Sequence, residues 1–183
     1  MSAWRSMWRR PGSGSDPGGD AALAVRVDRA GAAVDRCRQR FDPGATAGMP
    51  PHVTVLYPAP PDRRQLEDAL LGLLAEHDPF RFELTTIGHF PGVWYLCPQP
   101  AEPFVRLTEA VAARLGTPPY GGRFGQIVPH LTVAHRRRLP SWARRGLERS
   151  LPIACEARTV DLLYRGDGGW RVVASLALGG DGT

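Results

Sequence analysis

One five-residue phrase occurs twice in this chain and constrains it more than any other feature. Pro51-His52-Val53-Thr54-Val55 returns as Pro129-His130-Leu131-Thr132-Val133, 78 residues later. At this chain's residue frequencies a chance recurrence has odds on the order of one in a few thousand, so an internal repeat is the better explanation. In a strand, residues i and i+2 share a face. His52 and Thr54 therefore lie on one side, with Val53 and Val55 on the other. His130 and Thr132 are separated from Leu131 and Val133 in the same way. Each strand carries a polar pair for a cleft and an apolar pair for a core.

Those residue types suit a particular chemistry. Two residues along a strand span roughly 6.7 Å. If two such strands meet about a pseudo-two-fold axis, two imidazoles and two hydroxyls converge on a space that fits one phosphate. Breaking or making a phosphodiester bond needs one proton removed and one delivered. Histidine titrates near 6.5, so one imidazole can be neutral while the other is protonated at neutral pH. One is then general base and the other general acid. Thr54 and Thr132 can donate to the non-bridging oxygens. A single His-x-Thr strand is ordinary, because threonine favours strands and lone histidines are common. Two copies with matching flanks, one in each half, reverse that weighting.

The rest of the chain reads as α+β. Strand patterns cover 22–27, 52–57, 80–90, 93–97, 126–134, 153–164 and 170–178. Helical patterns cover 29–41, 63–76, 103–115 and 140–149. In the first of these, Ala33, Val34, Cys37 and Phe41 form an apolar stripe with charges between them. Asp62 is a suitable N-cap for the second helix. Pro91-Gly92 and the run 166–169 are hairpin turns. Hairpin-spaced strands among helices point to antiparallel sheets rather than a doubly wound parallel sheet. Neither G-x-G-x-x-G nor G-x-x-x-x-G-K-[ST] occurs, so neither familiar nucleotide-binding loop is expected. Residues 1–20, with Trp4, Trp8 and a Gly/Ser/Pro stretch, read as a disordered tail. Residues 21–179 read as one domain.

All 23 basic residues are arginine, and the net charge is +5. Arginine holds its charge and presents a planar donor fork suited to phosphate. Cys37, Cys97 and Cys155 are odd in number, with no C-x-x-C spacing, which argues against a zinc site or a disulfide framework. Free thiols, no apolar run of about 20 residues and no secretory h-region suggest a cytoplasmic protein with no membrane span. A monomer is expected.

The paired His-x-Thr motifs, in a chain of this size, resemble those of the 2H phosphoesterase superfamily, in particular its bacterial 2′-5′ RNA ligase-like (LigT-like) members. Arg40-Phe41-Asp42-Pro43 through Gly48-Met49-Pro50-Pro51-His52-Val53-Thr54 resembles the entry to the first motif in small bacterial members. The resemblance implies a bilobal α+β fold with antiparallel sheets lining a central cleft and helices outside. It implies catalytic histidines at His52 and His130, and phosphate-binding threonines at Thr54 and Thr132. The implied substrates are 2′,3′-cyclic phosphates, 2′-5′-linked oligonucleotides or related cyclic phosphodiesters, cleaved without metal or cofactor and with a reversible ligase reaction in reach.

Four further residues are candidates for substrate contact. Tyr57 falls on the face opposite His52 by strict alternation and reads as core, unless a bulge turns it inward. Arg123 could bind phosphate and Phe124 could stack a base. His135 ends the second motif strand and reads as rim or surface. His77 and His89 have no motif context. Arg136, Arg137, Arg138, Arg144 and Arg145 form a basic cluster that could guide RNA or a nucleotide, or form a solvated rim. Two other readings compete. A non-catalytic RNA- or nucleotide-binding protein would use the arginines alone, with no need of an acid–base pair. A metallohydrolase would use His52 and His130 as ligands, but H-E-x-x-H is absent and no carboxylate lies within either motif.

Overall fold

The computed structural model describes residues 20–179, so all but Asp20 of the expected tail lies outside the described residues. The element order is β1 (Ala21–Arg26), α1 (Ala32–Phe41), α2 (Pro43–Thr46), β2 (His52–Ala59), α3 (Arg63–Ala75), β3 (Phe80–Phe90), β4 (Val93–Gln99), α4 (Glu102–Leu115), β5 (Leu131–Ala134), α5 (Ser141–Ser150), β6 (Ile153–Ala157), β7 (Thr159–Gly166) and β8 (Gly169–Ala177). A 3₁₀ turn, Pro119–Gly122, lies between α4 and β5.

The strands form two four-stranded antiparallel sheets, ordered β2-β1-β7-β8 and β5-β4-β3-β6. The α+β expectation holds. The two lobes are not successive halves of the chain, however. The first sheet is drawn from both ends of the sequence and the second from its middle. Each motif strand is an edge strand of its own sheet, and β2 and β5 lie against one another. The repeated phrase therefore marks the seam between the sheets.

Alternation along β1 explains how the first sheet serves both a core and a cleft. Leu23 and Val25 join Val53, Val55 and Leu162 in the main core, together with Val34 of α1, Leu66 and Leu70 of α3, and Phe104 and Leu107 of α4. Ala22 and Ala24 point the other way, into a small second cluster with Met49, Leu163 and Trp170. Their short side chains leave room over that face, where Ala24 is paired with Thr54. Helix starts follow the sequence: Asp62 accepts from the Gln65 N–H at 3.1 Å and caps α3.

Two sequence expectations need correction. The strand expected over 126–134 is confined to Leu131–Ala134. Pro129 has no N–H to offer a ladder, and the preceding Gly-rich loop stays outside the sheet. His130 thus stands just before the ladder instead of within it. The strand expected over 153–164 is two strands, β6 and β7, which pair in different sheets and part at Arg158. Of the charges on α1, Arg38 is buried, at 3% exposure.

Candidate active site

The proline in each repeated phrase has a structural consequence. A residue before proline is restricted to extended backbone. Pro50 and Val128 both precede a proline, and each carbonyl turns back onto the following histidine. His52 Nδ1 donates to Pro50 O at 2.8 Å, and His130 Nδ1 donates to Val128 O at 2.6 Å. The two bonds are equivalent, each to the carbonyl two residues upstream. Each fixes the tautomer with the proton on Nδ1 and leaves Nε2 as the acceptor. The His130 ring is also held between Phe90, edge-on at 5.4 Å, and Tyr95 at 5.2 Å between centroids.

His52, Thr54, His130 and Thr132 line one cleft, together with Ala22, Asp42, Gly44, Met49, Tyr57, Tyr120, His135 and Trp170. Its cavity volume is about 60 Å³. A cavity of roughly 10–15 Å³ by this measure holds one water. The space therefore suits a small cluster of waters, or one tetrahedral phosphate in their place. Burial pushes the His52 imidazole down to about 4. The Pro50 bond opposes the shift, the Arg38 guanidinium adds to it, Asp42 opposes it and His130 adds to it. Burial also lowers His130, against its bond to Val128. Both shifts favour the neutral imidazole in the protein alone.

Tyr57 is in the cleft, contrary to strict alternation. The register pairs Ala24 with Thr54 but Leu23 with Leu56, which leaves Val55 as an extra residue in β2. This bulge puts Val55 and Leu56 both inside, at 2% and 0% exposure, and turns Tyr57 to the side of His52. Its ring then packs edge-on against Trp170, with centroids 6.3 Å apart. His135 lines the cleft wall, with Nε2 at 3.6 Å from Asp42 Oδ1. Arg123 and Phe124 are exposed and are not among the residues that line this cleft. They line an adjoining groove of about 430 Å³ with Phe90, Tyr120, Val128 and His130. Within the basic cluster, Arg144 is paired with Glu148 at 2.8 Å, and Arg136 lies over the Phe41 ring at 4.6 Å. Among the described residues, no group of three or more His, Cys, Asp and Glu side chains is placed to hold a metal ion.

Sequence reasoning missed three residues here. Arg38 and Asp42 form a buried ion pair, Nε to Oδ2 at 3.1 Å, with both side chains 4% exposed. Asp42 Oδ1 also accepts from the Gly44 N–H at 2.9 Å, and Arg38 Nη2 donates to Met49 O at 2.9 Å. The pair thus braces the loop that supplies the Pro50 carbonyl. An i,i+4 pair on an amphipathic helix looks like surface charge in a sequence, so only its place before the first motif hinted at more. Tyr120 is the third. Its backbone is left-handed, φ 53°, which is uncommon for a non-glycine residue, and its side chain lines the cleft with Thr54. The flanking Gly121 and Gly122, also at positive φ, were the available signal.

Comparison with solved structures bears on the fold. TT0787 of Thermus thermophilus superposes with a TM-score of 0.61 at 22% identity, over 88% of this chain and 99% of that one. E. coli LigT complexed with 3′-AMP gives 0.57 at 17% identity, over 88% and 98%. The same protein complexed with NADP+ gives 0.55 at 17%, over 90% and 99%. At these identities the likeness establishes the architecture. No curated protein matches the chain. Residues 27–169 match the family described as the 2′-5′ RNA ligase superfamily, a span that includes both motif strands and well over half of the sequence. The chain belongs to the 2′-5′ RNA ligase superfamily.

Proposed function

We propose that this protein is a phosphoesterase that cleaves 2′,3′-cyclic phosphate or 2′-5′ phosphodiester bonds of nucleotides or RNA through His52 and His130. One observation carries the reading. Two imidazoles, each with Nδ1 tied to the carbonyl two residues upstream, present Nε2 to the same cleft. A pure binding protein has no use for two matched, tautomer-fixed acceptors.

A phosphodiester entering between the histidines brings one negative charge, and an opposite charge favours the protonated imidazole. The substrate itself thereby favours the protonated form that burial opposes. One Nε2 then takes the proton from an attacking water as its oxygen bonds to phosphorus. The other, protonated, gives its proton to the departing 2′ or 3′ oxygen. The pair ends with its proton moved from one ring to the other, and the reverse sequence forms the bond. Thr54 and Thr132 donate to the non-bridging oxygens as charge builds there. No step in this scheme needs a cofactor.

The neighbouring groove supports a nucleotide substrate. Phe90 and Phe124 offer ring faces to a base, and Arg123 offers a donor fork. The E. coli LigT structures hold 3′-AMP, ATP and NADP+. The test is the pH dependence of kcat/KM on 2′,3′-cyclic nucleotides and 2′-5′-linked dinucleotides. A bell with two limbs, flattened on one side in each histidine variant, is the expected result. A single limb would remove the two-histidine scheme, and binding without turnover of any of these compounds would leave the pure binding role.

A further inference from the structure

A second groove adjoins the cleft through residues that the Phe124 groove does not share. Its volume is about 360 Å³, and Gln39, Arg40, Phe41, Thr46 and Arg136 line it with two residues of the cleft, Asp42 and His135. The Phe124 groove shares a different pair with the cleft, Tyr120 and His130. Both grooves therefore adjoin the cleft that holds the histidine pair, through different residues.

The two grooves differ in chemistry. The Phe124 groove is aromatic. The other groove has two guanidiniums on one ring, Arg136 at 4.6 Å and Arg40 at 6.0 Å from the centroid of Phe41. Among the described residues, neither arginine has a carboxylate within ion-pair distance, whereas Arg38 and Arg144 each do. Stacking on a ring face positions a guanidinium and leaves its edge donors available. The one carboxylate in the lining, Asp42, is already engaged by Arg38 and by the Gly44 N–H. Its charge is compensated within the protein, and the outward field of the groove is that of the arginines.

We infer that the Arg40–Arg136 groove binds a second phosphate of the same substrate, one nucleoside away from the bond that is broken. This rests on the phosphodiesterase reading above and narrows it. The preferred substrate carries at least two phosphates, and a cyclic mononucleotide without a second phosphate engages only part of the site. The second phosphate has two possible sources, a terminal phosphate monoester or the next phosphodiester of an oligonucleotide. Both present the oxygens that a guanidinium fork recognises.

The experiment compares substrates that differ by one phosphate. Adenosine 2′,3′-cyclic phosphate is set against its 5′-phosphorylated form, and 2′-5′-linked diadenosine against the same compound with a 3′-terminal phosphate. Each is assayed with wild type, Arg40→Gln, Arg136→Gln and the double variant. Both side chains are exposed, and circular dichroism and melting temperature check that the variants fold. The expected result is a KM about tenfold lower for the phosphorylated member of at least one pair, with kcat little changed. The double variant abolishes that advantage and leaves the unphosphorylated member unaffected. Which pair responds identifies where the second phosphate lies. Equal KM within both pairs, or an advantage that survives the double variant, overturns the inference while the phosphodiesterase reading stands. If wild type turns over none of the four, that reading has failed instead. The groove is then judged by calorimetric binding of adenosine 3′,5′-bisphosphate against 3′-AMP, where tighter bisphosphate binding lost in the double variant sustains it and equal binding rejects it.

Discussion

Lowering the pH from 7.5 to 4.5 should weaken this fold through His52, and the size of the effect follows from its burial. The imidazole titrates at about 4 in the folded protein, against 6.5 as the ordinary value. Between those values the unfolded chain binds a proton that the folded chain refuses. Stability therefore rises with pH in this window. The contribution is fully present above 6.5, is lost as pH falls towards 4, and changes no further below that. Each unit is worth about 1.36 kcal/mol, so the descent to pH 4.5 costs roughly 2–3 kcal/mol. The assay is urea unfolding of wild type and His52→Gln at both pH values. Carboxylates, His130 and His135 titrate in both proteins, so the difference isolates His52. With a urea slope of about 2 kcal/mol per molar, the wild-type midpoint should fall by about 1 M more than that of the variant. Equal shifts would show that His52 titrates in the folded protein as it does in the unfolded chain, and the effect assigned to its burial would be wrong.

Other perturbations test the surroundings of the histidines. Arg38→Met should destabilise the protein by about 3–5 kcal/mol, because it strands Asp42 in a buried site; a melt within about 2 °C of wild type would contradict this. At Gly88 a Cβ would lie 2.2 Å from the Tyr95 ring, and that ring packs on His130. Gly88→Ala should therefore cost about 1–3 kcal/mol and lower kcat as Tyr95 shifts, and unchanged kinetics would separate Tyr95 from His130 orientation. Tyr120→Phe removes a hydroxyl of the cleft that Thr54 influences. A double-mutant cycle with Thr54→Val should show coupling of about 1 kcal/mol in transition-state stabilisation, and additive losses would mean that the two hydroxyls act independently.

Much of the architecture was legible because its signals are local. Period-two alternation around His52 separated the polar pair from Val53 and Val55, and Pro91-Gly92 marked the β3–β4 turn. What was not legible depends on partners distant in sequence. The bulge that turns Tyr57 inward exists only in the register between β1 and β2. The break at Arg158 arises because β6 and β7 join different sheets, and no glycine or proline announces it. Arg38 and Asp42 carry no mark of burial in the sequence, and only the packing of α1 on β5 and α5 encloses them. Tyr120 lies in a loop rich in Gly and Pro, yet its side chain lines the cleft with Thr54, 66 residues away in sequence. The repeat itself was visible. Its crossing between a sheet made from the chain ends and a sheet made from the middle was not.

The central claim is that two histidines on the seam between the sheets perform the chemistry together. Hydrolysis of 2′,3′-cyclic nucleotides in excess EDTA, by wild type, His52→Ala and His130→Ala, tests it most directly. The account predicts turnover in wild type that survives the chelator and falls by about 10²-fold or more in each variant while the fold is kept. Loss of activity to EDTA, or a variant that retains near-normal turnover, would contradict it.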